Sequence, residues 1–286
     1  MKFLKIENKR LYVYILPAFI FISLFIGFGL FRAVTESLSG PQSIFTHYIT
    51  LFNSDEVYES VKISLYVTTI STLFSLLIGL VITRFLFRFF SSISWKYIVW
   101  IPMIIPHFVA AYLVYIIFSQ TGIVSSILYY LNDIGLPFPL VNDTAYIGVI
   151  LTYIWKEVPF VVLMLLPIYQ QIDKRYEDVV RTLGGKGWQV WKTVELPWIG
   201  PVLLEAGLII FAFVIAAYEV PALLGVTYPK MFSVLVYEWF YEGNWENRPL
   251  AQALMIVLTL TMVVSSFIVI NISKRWQKQW LKEKGE

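Results

Sequence analysis

The sequence predicts an all-α membrane protein of six transmembrane helices, and three observations carry that prediction. Hydrophobic residues make up 58% of the chain and charged residues only 14%, with a mean hydropathy of +0.70, outside the range of soluble domains. A window of about 20 residues finds six long apolar runs, near 11–34, 60–83, 97–119, 144–169, 198–222 and 250–272. Each is long enough for a helix rising 1.5 Å per residue to cross a hydrocarbon core of ~30 Å. The runs are continuous rather than alternating every second residue, which excludes the short strands of a membrane β-barrel.

In chain order, the first run follows Lys2, Lys5, Lys9 and Arg10. That could mark a secretory signal, but the run is too long for one, lacks a small-x-small cleavage pattern and is followed by further spans, so a retained helix is expected. The second run is uninterrupted. The third contains Pro102 and Pro106 and the fourth Pro159 and Pro167, which are expected to kink helices held in a bundle. The fifth opens with Pro197 and Pro201, which suit a first helical turn because the donors they lack are unpaired there anyway. The sixth ends before a basic tail.

The basic residues orient these spans. Besides the N-terminal group, Arg84, Arg88 and Lys96 lie between the second and third runs, Lys174, Arg175, Arg181, Lys186 and Lys192 between the fourth and fifth, and Lys274, Arg275, Lys278, Lys282 and Lys284 after the last. All four groups fall on one side of a six-span topology. The opposite loops hold Glu36, Asp55, Glu56, Glu59, Asp133, Asp143, Glu238, Glu242 and Glu246. The positive-inside rule therefore predicts that both termini are cytoplasmic. The expected organisation is a cytoplasmic N-terminus over 1–10, a membrane domain over 11–272 and a basic tail over 273–286.

The connection over 170–197 is long for a structureless helix–helix link, so it is expected to fold. Asp173 suits an N-cap, and Glu177 and Asp178 place negative charge in the first turns. Val179, Val180 and Leu183 recur at helical spacing, as do Trp188, Trp191 and Val194. Two short amphipathic helices around Gly184-Gly185-Lys186-Gly187 are predicted. The glycine-lysine cluster resembles a phosphate loop only superficially, since the spacing of a Walker A motif and its preceding strand are both missing. A glycine corner between helices explains it. Periodicity alone leaves two roles open: helices lying on lipid headgroups, favoured by the tryptophans and lysines, or a docking element for another protein.

Here the chain resembles a known family. Asp178, Gly184, Val194, Leu196 and Pro197 match the spacing of the EAA loop, which reads Glu-Ala-Ala, three residues, Gly, nine residues, Ile, one residue, Leu-Pro. Asp178 replaces the glutamate, Val179 and Val180 the alanines, and Glu177, Arg181, Leu183 and Gly184 fit a Glu-Glu-Ala-Ala-Arg-x-Leu-Gly variant. That loop belongs to permease subunits of binding-protein-dependent type I ABC importers. WKEVPFVVLMLLP at 155–167 and AYEVPALLG at 217–225 resemble the spermidine/putrescine-type branch, whose relatives handle iron, thiamine and phosphonates.

The resemblance implies a MetI-like permease fold, with 170–197 forming cytoplasmic coupling helices between spans four and five. Glu177, Asp178, Arg181, Leu183, Gly184, Leu196 and Pro197 would contact the ATPase. The partners implied are two ATPase subunits carrying ATP and Mg, a second permease subunit and an extracellular solute-binding protein, in a bacterial plasma membrane. A different chain is favoured for the second permease, with a homodimer as the alternative. No cofactor on this chain, no enzymatic activity and no nucleic-acid partner are expected.

Charges inside spans are costly and mark function by default, which singles out Lys156, Glu157, Glu205 and Glu219. Glu205 and Glu219 would share a face if the fifth helix stayed regular, although Pro221 stands against that. With Tyr153, Trp155, Tyr218 and Tyr228 nearby in sequence, Glu157, Tyr218 and Glu219 are candidates to line a path for an organic cation such as a polyamine. The bland alternative gives these charges packing partners. His47 and His107 are far apart in sequence and without evident carboxylate company, so no metal site is expected; with no cysteine, thiolate sites and disulfides are excluded. An ion-coupled secondary transporter or channel is the rival function.

Overall fold

A computed structural model describes residues 8–89, 94–132 and 140–283. Among them there is helix and no strand. Six segments are long and apolar enough to cross a membrane: Tyr14–Ser37, Asp55–Phe89, His107–Leu131, Ile147–Gln171, Gly187–Ala216 and Trp245–Trp276. Lys2, Lys5, Lys284 and Asp133 lie outside the described residues, as do the side chains of Lys9, Arg10, Lys96, Lys278 and Lys282.

The helices are α1 Asn8–Ser37, α2 Thr46–Phe52, α3 Asp55–Phe89, α4 Ser94–Ile104, α5 His107–Phe118, α6 Ile123–Asn132, α7 Ile147–Gln171, α8 Lys174–Thr182, α9 Gly187–Val190, α10 Leu196–Ala216, α11 Glu219–Leu224, α12 Phe232–Tyr237 and α13 Arg248–Glu283. The chain divides into two compact units, one of residues 1–54 and 236–260, the other of 55–235 and 261–286.

In the first unit, α1 presents large apolar side chains such as Phe19, Phe25 and Phe31 outward. Its C-terminal end is tied by Ser37 to Tyr48 at 2.9 Å, and Glu36 pairs with Arg32 at 2.9 Å. Arg248 stacks over Phe240 at 4.3 Å and over Trp245 at 5.3 Å.

In the second unit, α3 and α7 form the most extensive helix pair. The buried face of α3 is small and hydroxylic: Ser60, Ser64, Thr68, Ser71, Ser75, Gly79 and Thr83. Small residues let helix backbones approach closely in lipid, where packing and not the hydrophobic effect drives association. A Cβ at Gly79 would stand 2.5 Å from Val161, so the two helices meet there in near contact. Tyr153, Val161, Leu165, Ile199, Ile210 and Val214 continue the core toward α10.

Three sequence expectations need correction. The third apolar run is not one kinked helix over 97–119. It breaks between α4 and α5, where Pro106 adopts an extended conformation (φ −56°, ψ 146°), because a proline disfavours helical backbone in the residue before it. Pro102, Pro159 and Pro167 lie inside helices. The fifth run ends at Ala216 instead of 222, with Glu219 opening the separate α11. At its other end the predicted second short helix is not separate, because α9, a π-helical turn over Trp191–Glu195 and α10 follow without a gap. Pro197 cannot donate to the carbonyl four residues back and its ring crowds that carbonyl, and a π turn just upstream relieves such a clash.

Candidate functional site

The loop over 170–197 starts with a capped helix. The carboxylate of Asp173 accepts from the backbone N–H of Arg175 at 2.9 Å, as predicted, and the Arg175 side chain holds Asp173 below its ordinary carboxylate pKa. At the other end, α8 closes in a Schellman motif. The N–H of Gly185 donates to the Val180 carbonyl and that of Gly184 to the Arg181 carbonyl, both at 2.9 Å, with Gly184 left-handed at φ +83°. This is the glycine corner expected from the sequence, and the conformation strongly favours glycine.

The remaining loop residues sort into two groups. Glu177 is committed within the chain, donated to by Arg181 at 2.7 Å and 3.6 Å from Arg88. Asp178 is exposed, and its carboxylate makes no hydrogen bond or ion pair with the described residues. Val179, Leu183 and Trp188 are apolar yet 57%, 83% and 67% exposed. Trp188 stacks on Trp191 at 4.8 Å. Arg181 is exposed, whereas Leu196 and Pro197 are half-buried at the start of α10.

Sequence reasoning missed the best-held residue of the loop. Glu195 is 5% exposed and receives three donors: Arg84 at 2.9 Å, Arg88 at 2.9 Å and the Tyr169 hydroxyl at 3.0 Å. The sequence marks Arg84 and Arg88 only as orientation charges, and Glu195 only as the unspecified residue between Val194 and Leu196. The i, i+4 spacing of the arginines was a usable signal, since it puts both on one face at the end of α3.

A second cluster lies at the breaks in the third and fifth spans. Lys156 donates to the carbonyls of Pro102 and Ile105, the groups that α4 leaves unpaired where it ends. This is a structural role, matching the bland reading of that charge. Glu157 lies 3.1 Å from His107 Nε2, which corrects the expectation that His107 lacks a carboxylate neighbour; His107 also packs on Phe213 at 4.7 Å. No grouping of three metal-ligating side chains occurs among the described residues. Glu219 is exposed and Tyr218 half-buried at the start of α11. The buried Tyr153 hydroxyl has no hydrogen-bond partner among the described residues. Glu205 does not share a helix with Glu219; it accepts from Ser273 at 2.6 Å. Trp155 instead lines an apolar cavity of about 490 Å³ with Ile105, Leu113 and Phe118.

Replacing Lys156 with methionine should orphan the Pro102 and Ile105 carbonyls, each costing about 1–3 kcal/mol when buried without a partner. The purified protein in detergent is then expected to melt at a clearly lower temperature, and an unchanged midpoint would remove the structural role.

Residues 63–282 match the family described as binding-protein-dependent transport system inner membrane component. The chain is 28% identical over 212 residues to the molybdate/tungstate transport system permease protein WtpB of Thermococcus kodakarensis, covering 73% of this chain and 76% of that one. It is 24% identical over 217 residues to the probable sulfate transport system permease protein cysT of Chlorella vulgaris, covering 74% and 78%. Its fold matches a chain of a bacterial alginate ABC transporter, solved in complex with an alginate pentasaccharide-bound periplasmic protein, with a TM-score of 0.79 at 22% identity, over 95% of this chain and 96% of that one.

Proposed function

We propose that this chain, which belongs to the family of inner membrane components of binding-protein-dependent transport systems, is the permease subunit of an ATP-driven importer and docks its ATPase through the loop over 170–197. The observation that carries the proposal is the exposed apolar set Val179, Leu183 and Trp188 on a capped, amphipathic helix corner. Side chains of this kind seat in a groove of a partner protein. Asp178, whose carboxylate makes no hydrogen bond or ion pair with the described residues of its own chain, is the acid available to a partner arginine, while Glu177 is already paired.

The positive-inside distribution supports a cytoplasmic position for this corner and both termini, in a bacterial plasma membrane. The assembly consists of two ATPase subunits that bind ATP and Mg, a second permease subunit and an extracellular binding protein. This chain carries no nucleotide.

For the solute, the named relatives point away from the polyamine-type cation favoured by the sequence. They carry molybdate, tungstate and sulfate in their names, so a small oxyanion is the substrate class proposed here. Glu157, Tyr218 and Glu219 then line the path without binding the solute by charge, because a carboxylate repels an oxyanion. Under this reading Glu219→Gln leaves oxyanion uptake undiminished. Spermidine uptake that exceeds oxyanion uptake and falls about tenfold in this variant, the scale of one lost charge-assisted contact, would restore the organic cation.

The central test is purification in mild detergent followed by reconstitution. An ATPase subunit should be recovered with this chain, and uptake should stop when hydrolysis is blocked and persist when the proton gradient is collapsed. The opposite pattern would establish the ion-coupled alternative.

A further inference from the structure

We propose that Glu195 is the positioning residue that joins the docking loop to the membrane helices, an inference that rests on the docking role of the loop.

A carboxylate at the membrane edge is expensive to bury unless it is paired and fully hydrogen-bonded. Glu195, 5% exposed, meets that condition through groups from two other elements. Arg84 and Arg88 lie one turn apart near the C-terminal end of α3, and Tyr169 sits in the last turn of α7. Tyr169 is the point from which the loop leaves the membrane region and Glu195 the point at which it returns, so one hydrogen bond closes the loop at its base. The two arginines fasten that closure to α3.

Arg88 also stands 3.6 Å from Glu177 on α8. Three guanidinium groups, those of Arg84, Arg88 and Arg181, therefore face the two carboxylates of Glu195 and Glu177, and Arg88 is the one shared between the docking helix and the helix that re-enters the membrane. A displacement of α8 changes the Arg88–Glu177 separation, and Arg88 passes that change to Glu195 and so to α10. Without Glu195, α8 can move while α3, α7 and α10 stay in place.

The test is solute delivered per ATP hydrolysed, measured in liposomes containing the complete transporter with molybdate, sulfate and spermidine each offered through the binding protein. Glu195→Gln keeps the shape and loses the charge. It is expected to retain the ATPase subunits and near-normal hydrolysis while solute per ATP falls about tenfold, a typical size for coupling between sites. Arg88→Gln should reproduce the defect, and the double variant should add little to either single one, as for residues acting as a unit. An unchanged ratio would overturn the inference. So would additive defects, or a loss that only follows a lowered melting temperature and poor recovery of the complex, which would leave Glu195 a folding residue. If the unmodified chain delivers none of the three at the expense of ATP, the docking reading fails first.

Discussion

Replacing Gly184 by valine is expected to abolish ATP-driven uptake while leaving the chain inserted in the membrane. Gly184 occupies φ +83°, where a β-branched residue is strained by about 1–3 kcal/mol. The loop can escape that strain only by giving up the Schellman bonds from Gly184 and Gly185 to the Arg181 and Val180 carbonyls. Gly185 offers no slack, because its backbone runs so close to Val180 that a Cβ there would sit 2.6 Å from a valine methyl. The angle between α8 and the helix beginning at Gly187 would then change, and Val179, Leu183 and Trp188 would no longer present one surface. The six apolar segments are untouched, so membrane-fraction yield should equal that of the unmodified chain. Full uptake by this variant would dismiss the docking assignment of the corner.

Leu183→Asp is the second large effect. Leu183 is the most exposed apolar residue of the loop, at 83%, so its side chain supports nothing within its own chain and its removal should not disturb folding. Seated in a partner groove it would bury a full leucine side chain, worth about 1.5–3 kcal/mol, and an aspartate placed there adds the penalty of burying a charge. The ATPase subunit is expected to be lost from the purified complex, with affinity lowered at least about a hundredfold, equivalent to roughly 2.8 kcal/mol. Asp178→Ala should give a smaller loss with the same readout. If Leu183→Asp still co-purifies its ATPase in normal amounts, the exposed apolar face serves something else, and lipid headgroups become its natural contact.

Much of the fold is legible in the sequence because its dominant constraint is local. A bilayer demands long apolar helices, and hydropathy records them directly. The same holds for the loop corner, where Asp173 caps and Gly184 turns within a dozen residues, although the pairing of Glu177 with Arg181 was not read there. Contacts between distant elements were not legible. Arg84 and Glu195 are 111 residues apart in the chain, and Lys156 reaches a carbonyl 54 residues away. Neither leaves a periodic trace, so the sequence shows the charges but not their partners. The break before His107 was missed for a related reason. Hydropathy sees one apolar run through Pro102 and Pro106, and only the lysine of a neighbouring helix makes an interruption there affordable. The substrate class was not legible either, because the sequence shows carboxylates and aromatic rings without their partners, such as His107 for Glu157.

From Gly187 to Ala216 the chain is helical over 30 residues, with a π turn but no gap. At 1.5 Å per residue this is a rod about 45 Å long. One end carries the exposed tryptophan of the loop corner, and the other stops at Ala217, whose backbone turns extended two residues before Glu219. A rod of that length acts as a lever, so a tilt of about 5° at one end displaces the other by roughly 4 Å. Small rotations at the loop end are thereby enlarged at the end beside Glu219.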